Sequence, residues 1–372
     1  MDELINLNVS VVNTCPNYVV CFLEVTVVIA VTSLIVLGNF LTLVVLVSTP
    51  SLRNSHGLFL SSLTLADFGT GLVSALTVYP AATFLGTVEA WPYGEVGCLV
   101  AAFCSQLFSS TSRLTLVLLS IERYIAVVFP LKYSQVITKK VVLVMLGTCW
   151  TIVAAVNLAA LLELTGFTYV PEMYQCQPSF FGDPVVALVL IFCLAAPSFF
   201  IILATSVIVS RRLSRSARLR ADMTTSSPKA TASQEDSRKL SSPKTVKLFR
   251  MVRVMVMAVF VCWVPFFSVA IVSLITGTKA QQLIVFTAYW LLQSSSFINT
   301  IIYFLMNGSF RCRMREILSS ITPNVFLGIS YSRSSVFSCR IPIQPGLRPL
   351  ERSGRVNRHS RYHADTKVSY GQ

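Results

Sequence analysis

Charge is scarce in this chain of 372 residues: Asp, Glu, Lys and Arg together make up 12%. A soluble globular domain carries roughly a quarter, so that class is excluded. Histidine is scarcer still, with three residues. The sequence has no metal-ligand cluster and no nucleophile constellation, and nothing in it suggests an enzyme. It has no internal repeat, which disfavours a transporter built from inverted repeats. The first 20 residues contain no Lys or Arg, so the basic n-region of a cleavable signal peptide is missing. Ten cysteines spread over this length also exclude a small disulfide-stapled secreted domain.

What is there is apolar. Hydrophobic residues make up 54%, and the mean hydropathy is +0.68. A membrane span needs about 20 mostly apolar residues. Seven such runs occur, at 22–47, 58–84, 99–126, 141–162, 185–209, 254–275 and 283–306. None alternates apolar and polar residues over its length, so each reads as a helix rather than a barrel strand. The expected fold is an all-α membrane protein, a seven-transmembrane helix bundle, with the first span acting as its own insertion signal.

The formal net charge of +14 is distributed unevenly. Of 30 Lys and Arg, Arg113 lies inside the third span, Lys279 lies on one side, and the other 28 lie on the opposite side. The positive-inside rule then predicts an extracellular N-terminus over 1–21 and a cytoplasmic tail. The basic balance points to anionic membrane lipid rather than nucleic acid. The bundle occupies 22–306. Within it, 211–247 is rich in Ser, Thr, Arg and Lys and reads as a flexible inner loop, as does the tail over 322–372. Residues 307–321 place Arg311, Arg313 and Arg315 beside Phe310, Met314, Ile317 and Leu318, the pattern of a short amphipathic cytoplasmic helix. Asn8-Val9-Ser10 is a glycosylation sequon on the outer side.

Polar residues inside spans are costly and are functional candidates. Span one holds Gly38-Asn39 and span two Leu65-Ala66-Asp67. Span three ends in Glu122-Arg123-Tyr124, followed by Pro130-Leu131. Span four holds Trp150, span five Pro197, and span six Cys262-Trp263-Val264-Pro265. Span seven ends in Asn299-Thr300-Ile301-Ile302-Tyr303, followed by Phe310-Arg311. This order of motifs, from about Gly38 to about Ile317, resembles the rhodopsin-like (class A) G-protein-coupled receptors.

The resemblance implies roles. Asn39, Asp67, Ser112 and Asn299 would gather a sodium ion and water in the inactive state; a plain hydrogen-bonded packing node fits the same residues. No other cofactor is implied. Glu122 and Arg123, beside Tyr124, would form the ionic latch, and the freed Arg123 would face a heterotrimeric G protein, with arrestin and receptor kinases as further partners at the plasma membrane. Trp263 lies below the expected pocket, and Pro265 permits a kink about which span six pivots; Tyr303 closes the span-seven motif. Cys98 and Cys176 would form a disulfide. Cys15 and Cys21 stay open as a second pair.

The cavity implied by the resemblance is lined by Ser105, Gln106, Ser109, Val189, Cys193, Phe266, Phe267, Tyr289, Trp290 and Gln293. It is aromatic and polar but uncharged. Ser105 stands where an amine receptor has its carboxylate, and a cage without a counter-ion loses most of its grip on a desolvated cation. Gln293 stands where an opsin has its retinal Lys, so no Schiff base can form. The extracellular ligand is therefore expected to be neither a monoamine nor retinal.

Four residues depart from the family pattern. Thr300 replaces a Pro, Thr205 a Tyr, and Val259 a Phe. Arg113 sits near mid-membrane where an apolar residue normally packs against Pro197, and isolated burial of its charge costs several kcal/mol. The sequence leaves two readings of Arg113. It turns toward Asp67 or other polar neighbours, replaces sodium and raises basal activity, or it meets carbonyls and water without a switching role. Two other classes stay open for the whole chain, a seven-helix channel or transporter and a receptor fold that no longer couples. Epitope tags test the topology: an N-terminal tag is expected to stain intact cells, and a C-terminal tag only permeabilised ones. Both tags staining intact cells would remove the seven-span reading.

Overall fold

The computed structural model describes residues 17–84, 91–163, 167–178, 196–224, 243–278, 280–306 and 308–321. All belong to one compact unit within Met1–Ile329. The helices are α1 (Tyr18–Ser48), α2 (Ser55–Phe84), α3 (Gly94–Val128), α4 (Pro130–Val136), α5 (Lys139–Glu163), α6 (Ala196–Thr224), α7 (Pro243–Thr276), α8 (Gln282–Met306) and α9 (Gly308–Ile321). Two short antiparallel strands, β1 (Phe167–Val170) and β2 (Gln175–Pro178), form a hairpin between α5 and α6.

Five of these segments are long and apolar enough to cross a membrane by composition alone: Tyr18–Ser48, Ser55–Val78, Lys139–Ala159, Ala196–Arg215 and Arg253–Thr276. The other two bundle helices, α3 and α8, carry their polar residues inward. Buried positions of α3 include Ser105, Gln106, Ser112, Thr115, Glu122 and Arg123, and those of α8 include Gln293, Ser296, Asn299 and Tyr303. In α1 the stripe Val28, Thr32, Ile35, Asn39, Thr42 and Leu46 is buried. These residues recur every three or four positions, so one helical face turns inward. Leu34, Leu37 and Phe40 on the other face are exposed, as lipid-facing residues are.

Neighbouring contacts close the bundle into a ring in the order α1, α2, α3, α6, α7, α8 and back to α1, with α5 against α2 and α3. The seven-helix, all-α architecture expected from the sequence is therefore present. One apolar cluster fills the end of the bundle near α9, around Phe59, Leu63, Leu119, Ile302 and Phe310. A second fills the hairpin end, around Val28, Met173, Tyr174, Phe286 and Trp290. Trp150 of α5 donates its indole N–H to Ser62 Oγ of α2 at 3.1 Å, and Ser62 lies 3.4 Å from Thr115 Oγ1 of α3.

The structure adds elements that hydropathy does not reveal. Pro130 occupies the first turn of α4, where its missing N–H costs nothing. Helix α3 starts at Gly94, five residues before the apolar run, and α6 and α7 continue into the 211–247 segment. Arg, Leu and Ala there favour helix without needing lipid. Helix α9 is the short amphipathic helix expected over 307–321; it lies against the end of α8, with Phe310 and Met314 buried and Phe310 against Tyr303 at 6.1 Å.

Close packing at the start of α2 depends on one glycine. Asn54 Oδ1 accepts the N–H of Gly57 at 2.8 Å, an N-cap bond. A Cβ at Gly57 would overlap the Leu52 carbonyl oxygen, whereas one at Gly147 would meet nothing within 4 Å. Gly57→Ala is expected to lower the melting temperature of the detergent-solubilised protein, by the equivalent of about 1–3 kcal/mol. Gly147→Ala should leave it equal or slightly higher. Equal melting temperatures for Gly57→Ala and the unsubstituted protein would contradict the packing described.

Candidate functional site

The polar residues of the bundle form three layers. The deepest is centred on Asp67 of α2, which is fully buried. Its Oδ1 accepts Ser112 Oγ at 2.7 Å and its Oδ2 accepts Asn299 Nδ2 at 3.0 Å. The carboxylate thus ties α2 to α3 and α8. Asn39 serves the same layer from α1. Its Nδ2 donates to the Ser296 carbonyl at 3.1 Å, and its Oδ1 accepts Thr300 Oγ1 at 3.4 Å. Thr42 Oγ1 donates to Thr300 Oγ1 at 3.2 Å. Thr300, where a Pro was expected, therefore braces α8 against α1.

The second layer, toward α9, holds the latch. Arg123 Nε lies 2.8 Å from Glu122 Oε2, and both residues are buried. The pair is held by proximity and charge, because its angle falls outside hydrogen-bond geometry. Tyr133 of α4 donates its hydroxyl to Glu122 Oε1, and His56 Nδ1 lies 3.4 Å from Glu122 Oε2. Burial, then the adjacent carboxylate, pushes the Tyr133 phenol well above its usual range, so it stays protonated and able to donate. Tyr124 is not in the latch; its ring meets Phe129 at 6.1 Å. The Tyr303 hydroxyl is buried without a hydrogen-bond partner among the described residues. Thr205 donates back to the carbonyls of Ile201 and Ile202 on its own helix.

Between these layers and the hairpin end lies Arg113. Its Nη2 donates to Ser110 Oγ at 2.6 Å, and its guanidinium carbon lies 5.7 Å from the centre of the Trp263 ring. Among the described residues no carboxylate pairs with it. Asp67, one of the partners expected for it, is occupied by Ser112 and Asn299 instead. Trp263 donates Nε1 to Ser295 Oγ of α8 at 3.0 Å and meets Phe199 of α6 edge-on at 5.4 Å. A cation over a Trp face is attracted by about 0.5–2 kcal/mol, more where water is excluded. Pro265 lies inside α7, two residues beyond Trp263. Val259 lines a small apolar gap with Leu116, Leu119, Ile202 and Met255.

The third layer is the cup at the hairpin end. Cys98 and Cys176 form a disulfide, with Cα atoms 5.3 Å apart. Trp91, Ala101, Ala102 and Tyr169 pack around it. In a strand, alternate residues share a face. With Cys176 turned to α3, Gln175 and Gln177 turn the other way, into the bundle. Gln106 Nε2 donates to Gln177 Oε1 at 2.8 Å. Gln177 Nε2 lies within donating distance of Tyr289 Oη at 3.0 Å, Gln175 Oε1 at 3.1 Å and Ser105 Oγ at 3.4 Å. Tyr289 donates its hydroxyl to Gln175 Oε1. Gln175 Nε2 and Gln293 Nε2 both donate to Ser74 Oγ, at 3.0 and 3.1 Å.

Ser105, Gln106, Tyr289 and Gln293 are thus brought together in one network with Gln175, Gln177 and Ser74. Phe266 stands 5.9 Å from Tyr289 and 5.8 Å from Phe267. Ser109 makes only a long contact to the Gln106 carbonyl at 3.5 Å, and Trp290 packs with Phe286 in the apolar cluster that includes Val25 and Val28 of α1. Val189, Cys193, Cys15 and the Asn8 sequon lie outside the described residues; Cys21 is disulfide-bonded. Sequence reasoning missed Ser74, Gln175 and Gln177. The available signal was the alternation Gln-Cys-Gln around the loop cysteine. It also missed Glu24 of α1, whose Oε2 accepts the Tyr174 hydroxyl at 3.0 Å.

Comparison with known proteins gives the family of the chain. Residues 38–303 match the family described as 7 transmembrane receptor (rhodopsin family). A QRFP-like peptide receptor of Branchiostoma floridae is 25% identical over 82% of this chain and 82% of its own. Rhodopsin of Sminthopsis crassicaudata is 27% identical over 75% and 77%. Probable G-protein coupled receptor 21 of Mus musculus is 27% identical over 81% and 84%. The match spans most of the chain and every layer of the site, and the chain belongs to the rhodopsin family of seven-transmembrane receptors.

Proposed function

We propose that the protein is a plasma-membrane receptor, its N-terminus outside, that passes a signal from the cup to heterotrimeric G proteins. The observation that carries the reading is the buried Glu122–Arg123 pair at the α9 end of α3, 2.8 Å apart and closed over by Tyr133. A guanidinium held in this way is released only if its partners move apart. Movement of α7 about Pro265 is the motion the sequence provides for. The freed Arg123 would then offer its donors to the G protein. Thr205 is turned back on its own helix, so Tyr303, whose hydroxyl is unsatisfied, is the phenol nearest in kind to steady it. A signal from the cup acts by shifting the population between these arrangements.

The Asp67 layer fits the cation that the family implies. The buried Asp67 carboxylate and the Ser112 hydroxyl supply oxygens of the kind a hard cation takes, and Asn299, which now gives Asp67 its Nδ2, would turn its amide oxygen inward to join them. Asp67, Ser112 and Asn299 would hold a sodium ion, supplying the positive charge that lipid cannot give the carboxylate. Asn39 would brace α1 and α8 around it. In this reading Arg113 acts at Trp263 rather than at Asp67. Its stack coexists with a closed latch, so it favours the resting state, opposite in sign to the raised basal activity that one of the two sequence readings gave it. A second reading, a receptor fold that does not couple, draws on Thr300 and Thr205, the departures from the family pattern in α8 and α6.

Two substitutions test these roles at equal surface expression. Arg123→Ala is expected to abolish activation across a panel of G-protein sensors. Undiminished activation in Arg123→Ala would contradict the latch, and silence of the unsubstituted receptor with every sensor, with or without outer stimuli, would favour the non-coupling fold. Arg113→Ile is expected to raise ligand-free signalling by roughly 2- to 10-fold, the population shift that about 0.5–1.4 kcal/mol produces. Arg113→Lys keeps the charge but loses the planar stack and should behave similarly. Ligand-free signalling that is equal in all three proteins would remove Arg113 from the switch.

A further inference from the structure

We propose that the resident occupant of the cup is the chain's own hairpin, with the Gln175 and Gln177 amides standing where a polar ligand would sit and holding the bundle in its latch-closed arrangement. The inference rests on the receptor reading above and goes on to name what fills its site.

Three observations support it. First, Gln175 and Gln177 are 2% and 3% exposed, far too buried for a loop that merely covers an opening. Second, the disulfide at Cys176 leaves them no other place: it pins the middle residue of the triplet to α3, and strand alternation sends both neighbours inward. Third, their bonds reach three helices. Gln177 joins Ser105 and Gln106 of α3 to Tyr289 of α8, and Gln175 joins Tyr289 to Ser74 of α2. Buried amides so satisfied resist removal, because a side chain withdrawn alone would strand the partners left behind. The same structure holds Arg123 against Glu122, which sets the sign: the plug belongs to the resting state.

The chemistry also defines what can displace it. The groups freed when the Gln175 and Gln177 amides withdraw are hydroxyls and carboxamides, with no charge among them; the Glu24 carboxylate of α1 is held apart from them by Tyr174. An external ligand must return donors and acceptors of the same kind to Tyr289, Gln106 and Ser74. A neutral molecule bearing amides or hydroxyls, such as an uncharged peptide segment, meets that demand. An amine or a carboxylate does not, since it would enter an uncharged network without a counter-ion.

Two readouts test the proposal. Gln177→Cys, compared on intact cells with Glu95→Cys and with the unsubstituted receptor, reads occupancy without any signalling. Glu95 is exposed at the start of α3. Labelling of Gln177→Cys by a membrane-impermeant maleimide should be at least about tenfold slower, since it waits on local opening. Equal rates would overturn the occupancy. Gln177→Ala and Tyr289→Phe read the hold. Ligand-free G-protein activation should rise several-fold in both, at matched surface levels, and return to nothing when Arg123→Ala is added. Protection of Gln177→Cys with unchanged or lowered activation would overturn the hold. If no variant and no stimulus activates any G protein, the receptor reading fails and the hold fails with it, while the labelling still decides occupancy.

Discussion

Lipid offers no hydrogen bonds. A polar side chain inside the bundle is costly unless it finds a partner within the protein, and this constraint organises the rest of the structure, with the Tyr303 hydroxyl an exception among the described residues. Asp67 is the clearest case. A carboxylate at that depth is tolerable only because Ser112 and Asn299 each give one oxygen a donor. Satisfying it draws α2, α3 and α8 together, and Asn39 with Thr300 draws in α1. The latch obeys the same rule at the other end of α3. So does the cup, where four glutamines, a Tyr and two serines form an uncharged network. A bundle joined in this way has few intermediate positions: breaking one layer leaves groups unpaired, and the helices settle only where new partners exist. Such bistability is what a switch requires.

Arg113 follows the constraint by a different route. With no carboxylate to receive it, the guanidinium uses a hydroxyl and the face of Trp263. This places a cation between the cup and the latch, on the ring beside Pro265. Trp263 is also held by Ser295 of α8 and by Phe199 of α6. One ring therefore connects three helices around the proline of α7. Val259, smaller than the Phe of the family pattern, lines a small apolar gap below that ring with Leu119, Ile202 and Met255.

Much of this was legible in the sequence, for physical reasons. Hydropathy gave the spans because the membrane fixes their length. Asp67, Asn299, Glu122 and Arg123 stood out because polar residues in spans are rare. Thr300 stood out as a departure, but its bond to α1 depends on helix rotation, which one sequence does not encode. The Ser110 hydroxyl is one of the polar neighbours expected for Arg113, but the Trp263 face was missed, because a ring face is less conspicuous than a carboxylate as the partner of a buried cation. The glutamines of the hairpin were missed for another reason. They lie in a loop, where polar residues are ordinary, and only the disulfide and the strand register turn them inward. Helix α4 and the extended ends of α6 and α7 carry no hydropathic signal, since they lie beyond the apolar runs.

The central claim is that the hydrogen-bonded cup and the latch, at opposite ends of α3, are two ends of one equilibrium. Paired spin labels at Lys139 on α5 and Arg250 on α7, both exposed near the latch end, measure it directly in purified receptor. The account predicts that removing the Gln177 side chain lengthens the distance or adds a longer population, with no ligand present. Identical distance distributions with and without that side chain would contradict it.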